Sequence, residues 1–145
     1  MMPNFTKTLL ALLFIFSFGF SFGPKPIDAL ADKKAAETGE IFIYTIKIEG
    51  YFNNPVLSIP EFKNLSVVSS LQSKSYSFYK GKQKTLMTLN FEIFAEKPGV
   101  YRIGPATLEN ENKTYKSRII TIKITGKPLK DKMKIQPYIE NSTPL

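Results

Sequence analysis

The chain has 145 residues, 20 Lys and Arg against 12 Asp and Glu, and no His, Cys or Trp. That length fits one domain, and the missing Cys and His exclude disulfides, Ser–His and Cys–His nucleophiles and structural zinc. The surplus of cations suits an anionic surface or an acidic partner.

In chain order, Lys7 precedes an apolar run over residues 9–20. A positive start followed by a short hydrophobic stretch is the pattern of a secretory leader. The run falls short of the roughly 20 apolar residues that a membrane-spanning helix needs. Ala29-Leu30-Ala31 supplies a small-x-small cleavage pattern. Residues 1–31 are therefore expected to be a leader cut after Ala31, which places the mature protein in the periplasm or outside the cell. An uncleaved leader serving as an anchor is the alternative. No Cys follows the run, so the lipoprotein route is closed, and no later segment is long and apolar enough to span a membrane. Cutting at Ala31 removes Lys7, Lys25 and Asp28 and leaves 18 cations against 11 acids, a net +7.

From residue 39 onward the hydrophobic pattern has a period of two, the signal of half-buried strands. A stretch over residues 32–37 could make one helical turn; nothing else after the leader shows a 3.6 repeat. In "EIFIYTIKIEG", Phe42, Tyr44, Ile46 and Ile48 share one face, with Thr45, Lys47 and Glu49 on the other. "NNPVLSIPEF" is framed by Pro55 and Pro60, which suits an edge or a sheet-switching segment. "NLSVVSSLQ" alternates until Val68 shifts the phase, as a bulge would. "KSYSFYKGKQKTLMTLNFEIFA" reads as a hairpin turning at Lys80-Gly81, with Met87, Leu89, Phe91 and Ile93 on one face of the return arm.

"AEKPGVYRIGPATLENENKTY" carries breaks at Pro98-Gly99, at Gly104-Pro105 and over residues 110–113. The first is expected to turn one strand into the next. The second kinks a strand that changes sheets, because Pro cannot continue a ladder. The third closes the last hairpin, after which Ile120, Ile122 and Ile124 alternate with Thr121, Lys123 and Thr125. The count is about seven strands over residues 39–126, the pattern of an all-β, immunoglobulin-like antiparallel sandwich. Residues 32–126 form that domain, and residues 127–145 read as a Lys-rich, Pro-punctuated tail or linker.

Chemistry is sparse. Glu109 and Glu111 are close in sequence, but two carboxylates beside a turn are far more often a solvated loop than an acid/base pair. Such a pair needs a cleft that splits its pKa values. Neither the Gly-rich phosphate loop nor the acidic calcium loop is present. No catalytic residue, cofactor or metal is expected, and the chain reads as a non-enzyme. The hairpin combines Tyr76, Phe78 and Tyr79 with Lys74, Lys80, Lys82 and Lys84, which could stack sugar rings while gripping an anionic chain. The plainer reading packs one aromatic face on the core and leaves a Lys-bearing tip in water. Nucleic acid is not an expected partner for an exported protein.

"TGEIFIYTIKIEG" is similar to the opening strand of the BatD, or oxygen-tolerance, proteins, with the Gly39-Glu40 corner and the closing Gly50. "VLSIPEFKNLSVVSSLQSKSYSFYKGK" resembles that family's next block. "FEIFAEKPGVYRIGPATLENENKTYKSRIITIKITG" resembles its run of strand, Pro-Gly turn, short strand, Pro-Ala, polar turn, Tyr and last strand. The resemblance covers residues 39–126 and rests on the ordered set rather than on one motif. It implies an exported immunoglobulin-like module of the cell envelope that works by protein–protein contact or as a scaffold. In that family such domains come in tandem, usually with a membrane helix after them. Its members are thought to assemble with von Willebrand A-type proteins and a complex linked to a MoxR-type ATPase, in stress or oxygen tolerance. No catalytic residue is carried over. This chain shows one domain and then residues 127–145, as a stand-alone relative or a shortened copy would. A carbohydrate- or polyanion-binding sandwich using residues 74–84 is the alternative function, and an anionic envelope surface is a further expected partner.

Overall fold

The computed structural model describes residues 25–129, and every regular element among them is a strand. In chain order these are β1 (Ile27–Ala31), β2 (Ala35–Glu37), β3 (Phe42–Gly50), β4 (Val56–Ser58), β5 (Ser66–Tyr79), β6 (Lys82–Phe94), β7 (Gly99–Ile103), β8 (Thr107–Asn110), β9 (Lys113–Lys116) and β10 (Ile120–Thr125). They pair into a four-stranded sheet ordered β1-β3-β6-β5 and two three-stranded sheets, β2-β10-β7 and β4-β8-β9. One core cluster joins all three, so the two smaller sheets serve as the second layer of an immunoglobulin-like sandwich.

The strict alternation of β3 builds one wall of the core. Phe42, Tyr44, Ile46 and Ile48 are fully buried, while Ile43 and Lys47 between them are exposed. Opposite them in the ladder stand Ile93, Phe91, Leu89 and Met87 of β6. Ile122 and Ile124 of β10, Ile103 of β7 and Leu108 of β8 close the core from the other layer. Each such side chain contributes about 1.5–3 kcal/mol by leaving water. An aromatic cluster lies inside, where the Tyr44 and Phe62 rings meet edge to face at 5.6 Å and Phe62 and Phe91 at 5.2 Å.

The three breaks over residues 95–115 do what their chemistry implies. Pro98-Gly99 carries the chain from β6 into β7. Gly104-Pro105 then ends β7 in one small sheet, and β8 begins in the other. The turn after Asn110 returns β9 beside β8, with Glu111 at a φ of 56°. Val56–Ser58 is an edge strand, paired only with β8. The phase slip at Val68 is a bulge, since the β5–β6 register shifts between Val67 and Ser69.

Over residues 39–126 the eight strands β3–β10 agree with the expected count of about seven, and two further short strands, β1 and β2, precede them. Two expectations need correction. No helical turn forms over residues 32–37. Ala35–Glu37 instead pairs parallel with Lys123–Thr125, and the Lys123 and Thr38 amides donate to Lys34 O and Thr125 O. The backbone ladder with β10 outweighs the weak helical preference of so short a segment. The fold also begins before Asp32, at Ile27. β1 lies within the segment assigned to the leader and pairs with β3 over five residues, burying Ile27 and Ala29 in the core. A cut after Ala31 would remove that strand.

β1 is tied down from both sides. Arg118 donates twice to the Asp28 carboxylate, at 2.8 and 2.6 Å, so the segment leading into β10 clamps the edge of the other layer. Partial burial raises the Asp28 pKa, but the Arg118 hydrogen bonds, the Ala29 amide and the charges of Arg118 and Lys25 outweigh it. The carboxyl stays below its ordinary value. After Gly126, Lys127 O accepts from Thr38 Oγ1 and the Leu129 amide donates to Glu96 O. The remainder of the expected tail, like residues 1–24 of the expected leader, lies outside the described residues.

Candidate functional site

β5 is the least buried long element among the described residues. It runs 14 residues along the open edge of the large sheet, and every position after Ser66 is exposed. The register explains this. The positions facing the core side are Ser70, Gln72, Lys74 and Tyr76, opposite Phe91, Leu89, Met87 and Thr85 of β6. The outward positions are Ser69, Leu71, Ser73, Ser75 and Ser77. Neither face carries the apolar row that would call for a covering layer, so β5 contributes backbone to β6 and leaves its other edge free.

On the outward face an open hollow of about 390 Å³ lies between Leu30, Ile43 and Leu71. Its floor is polar and already paired, with Thr45 Oγ1 donating to Asn90 Oδ1 at 2.8 Å and Ser69 Oγ donating to Glu92 Oε2 at 2.6 Å. Apolar corners over a satisfied floor suit contact with a partner's side chains rather than chemistry.

The hairpin at the far end of β5 projects from the sandwich. β3 accompanies β6 only as far as the Gly50–Thr85 pair, so residues 77–84 have no third strand. The loop has two residues, Lys80 at φ 49° and Gly81 at φ 76°. Two successive positive φ values give the tight hairpin turn whose twist matches the strands, and Gly81 accepts the second without a Cβ penalty. Tyr76, Phe78 and Tyr79 are 50%, 75% and 62% exposed, so none packs on the core as the plainer reading expected. They also do not form one platform. Phe78 pairs with Gln83 and shares the face of Tyr76, while Tyr79 pairs with Lys82 on the opposite face. Lys74 lies over the Tyr76 ring at 5.1 Å and Lys80 over the Tyr79 ring at 5.3 Å. Lys84 is bound to Glu49 at 2.6 Å, and that carboxylate holds the ammonium above its ordinary pKa.

The carboxylates weighed earlier do not converge. Glu109 is exposed on β8 across from Val56, and Glu111 sits in the β8–β9 turn, 3.5 Å from the Asn53 side-chain amide. Among the described residues no three His, Cys, Asp or Glu groups come together in a way that could hold a metal ion.

Among the described residues one buried side-chain oxygen has no hydrogen-bond partner, the Tyr44 hydroxyl. Burial pushes its pKa up to about 12, against a pull from Ser117 and with a small push from Asp28. Ser117 Oγ is already engaged, accepting from the Ala106 amide and donating to Arg118 O. The phenol is enclosed by Phe62 and Phe91, with no access for a substrate, so it belongs to packing.

The fold, the kinked β7–β8 passage and the projecting β5–β6 hairpin can be set beside known families. A family model described as the BatD DUF11 like domain matches residues 29–124. The chain belongs to the BatD family. The match begins inside β1 and ends in β10, so it takes in both layers of the sandwich. No curated protein and no solved structure is matched by the chain. BatD proteins are associated with the cell envelope and are not a known enzyme family. Among the described residues no helix is long and apolar enough to cross a membrane. The open β5 edge escaped the sequence reading, although its signal was there: Ser at alternate positions and no apolar row on either side.

Proposed function

We propose that this BatD protein is a non-catalytic interaction or scaffolding module of the bacterial envelope, and that it receives an extended segment of a partner protein along β5. The observation that carries this reading is the free 14-residue edge. An exposed edge presents a row of unpaired amides and carbonyls, and an added strand satisfies them while pockets on either face read alternate side chains. The hollow beside Leu71 offers such a pocket. Family membership supports an envelope protein as the partner, with a von Willebrand A-type protein of a MoxR-linked complex the first candidate and a part in stress or oxygen tolerance the role. Export to the periplasm belongs to the same reading.

The test is a photo-crosslinking amino acid at Leu71 in the living cell, with Thr121 on the opposite layer as the control site. The expected result is an adduct at residue 71 that mass spectrometry identifies as an envelope protein, and that disappears when Ser73→Lys and Ser75→Lys guard the edge. Equal adducts at 71 and 121, or an adduct indifferent to the two lysines, would remove β5 as the receiving edge.

A further inference from the structure

We infer that the β5–β6 hairpin is an interfacial anchor, which inserts its aromatic tip into an anionic lipid surface. The inference shares with the proposed function only the envelope location and does not depend on strand capture at β5. Three observations carry it. The first is shape: beyond the Gly50–Thr85 pair the hairpin is two-stranded, with no third strand paired beside it. The second is the placement of its rings. Phe78 is 75% exposed at the tip, with Tyr79 beside it on the other face. Rings that serve a polysaccharide line up on one face. Rings on both faces of a convex projection are all accommodated only by a medium that surrounds the tip. An open hollow of about 330 Å³ does lie beside the return arm of the hairpin, between Lys82, Gln83 and residues such as Phe52, but its lining includes neither Phe78 nor Tyr79.

The third observation is charge. Among the described residues Lys74, Lys80 and Lys82 make no salt bridge. They flank the rings, and long Lys side chains beside buried apolar groups extend toward the headgroups while Tyr and Phe settle at the boundary. Each Lys brought close to an anionic leaflet strengthens binding about fivefold. Soluble acidic polymers share the attraction for cations but give the rings nowhere to go, and that difference separates the two.

The chain has no Cys, so a single Ser77→Cys change labelled with an environment-sensitive fluorophore reports on the hairpin alone, whatever other segments do. Thr121→Cys on the opposite layer is the reference. With vesicles of 70% phosphatidylcholine and 30% phosphatidylglycerol, the label at 77 should brighten, shift to the blue and be quenched by spin-labelled lipid. The label at 121 should do none of these. Lys80→Glu with Lys82→Glu should weaken binding by about 25-fold or more, and raising salt should weaken it too. Phe78→Ser with Tyr79→Ser should abolish the blue shift while leaving the salt dependence. A label at 77 as wet as the one at 121 on bound vesicles would overturn the inference. So would an equal response to dextran sulfate, which would assign the hairpin to polyanions.

Discussion

Unlike the buried Ser117 hydroxyl, which is paired, the Tyr44 hydroxyl is buried without a hydrogen-bond partner. Its ring is held by Phe62 and Phe91, so the ring and the hydroxyl contribute in opposite directions. An unsatisfied buried polar group costs about 1–3 kcal/mol, whereas removing a buried aromatic ring costs about 3–5 kcal/mol. Tyr44→Phe is therefore expected to be neutral or stabilising by about 1 kcal/mol in urea denaturation, and Tyr44→Ala strongly destabilising. Alkali supplies a second readout. Burial raises the folded-state pKa to about 12 from the ordinary phenol value of 10.0, so the folded protein keeps a proton that the unfolded chain releases. Stability is complete below pH 10 and falls as pH rises from 10 towards 12, at up to about 1.4 kcal/mol per pH unit. Tyr44→Phe should flatten that fall relative to the wild type. Parallel curves for the two proteins would mean that the phenol ionises as readily in the fold as in the unfolded chain, so that the hydroxyl is not shut away from water.

At the scale of the element, β1 matters most for how the protein is made. Ile27 and Ala29 are buried, the strand pairs with five residues of β3, and Arg118 clamps Asp28. Losing the strand would open a hole beside Ile46 and Ile48 and expose a second long edge. The expected penalty is roughly 3 kcal/mol or more, or about 10 °C in Tm. Under the proposed export, a cleavage compatible with this fold falls before Ile27, and mass spectrometry of the protein recovered from the envelope should find its first residue at or before that position. A mature chain that begins at Asp32 and still unfolds cooperatively at the same temperature would contradict this. The same strand shows where a sequence stops being legible. Ala29-Leu30-Ala31 satisfies the small-x-small pattern of a cleavage site, yet the alternation of Ile27, Ala29 and Ala31 is also that of a half-buried strand. β2 was hidden for another reason, since its partner β10 lies about 90 residues away and no local pattern announces a parallel pairing. By contrast β3, β6 and β10 each bury one face against a single core, so period two alone located them. Turns marked in the sequence by Gly or Pro, at Lys80-Gly81 and Gly104-Pro105, were equally plain. The hairpin residues were found as a group, but their division between two faces depends on the register with β6.

For the whole molecule, an open edge and a net charge of +8 act against each other. The free side of β5 carries Leu71, which is 68% exposed, and only one cation, Lys74, to discourage another strand. Flat edges with so little guarding tend to pair with themselves. Two copies meeting antiparallel about Ser73 would set Leu71 opposite Ser75 and Gln72 opposite Lys74, with no like charges face to face. A centre at Lys74 would oppose two lysines and be disfavoured. Against the pairing stands the repulsion between two cationic molecules, which salt screens as the Debye length falls from about 10 Å at 0.1 M to about 3 Å at 1 M. The purified protein, without a partner strand, should therefore form a weak dimer whose share rises with both concentration and salt in sedimentation velocity. Leu71→Lys should hold it monomeric at every salt. The sign of the salt effect is what distinguishes the two surfaces of the hairpin, because lipid binding through the tip weakens as ions are added while edge pairing strengthens. A protein that stays monomeric at high concentration and 1 M salt has a β5 edge that resists strands, and capture of a partner along it would then be untenable.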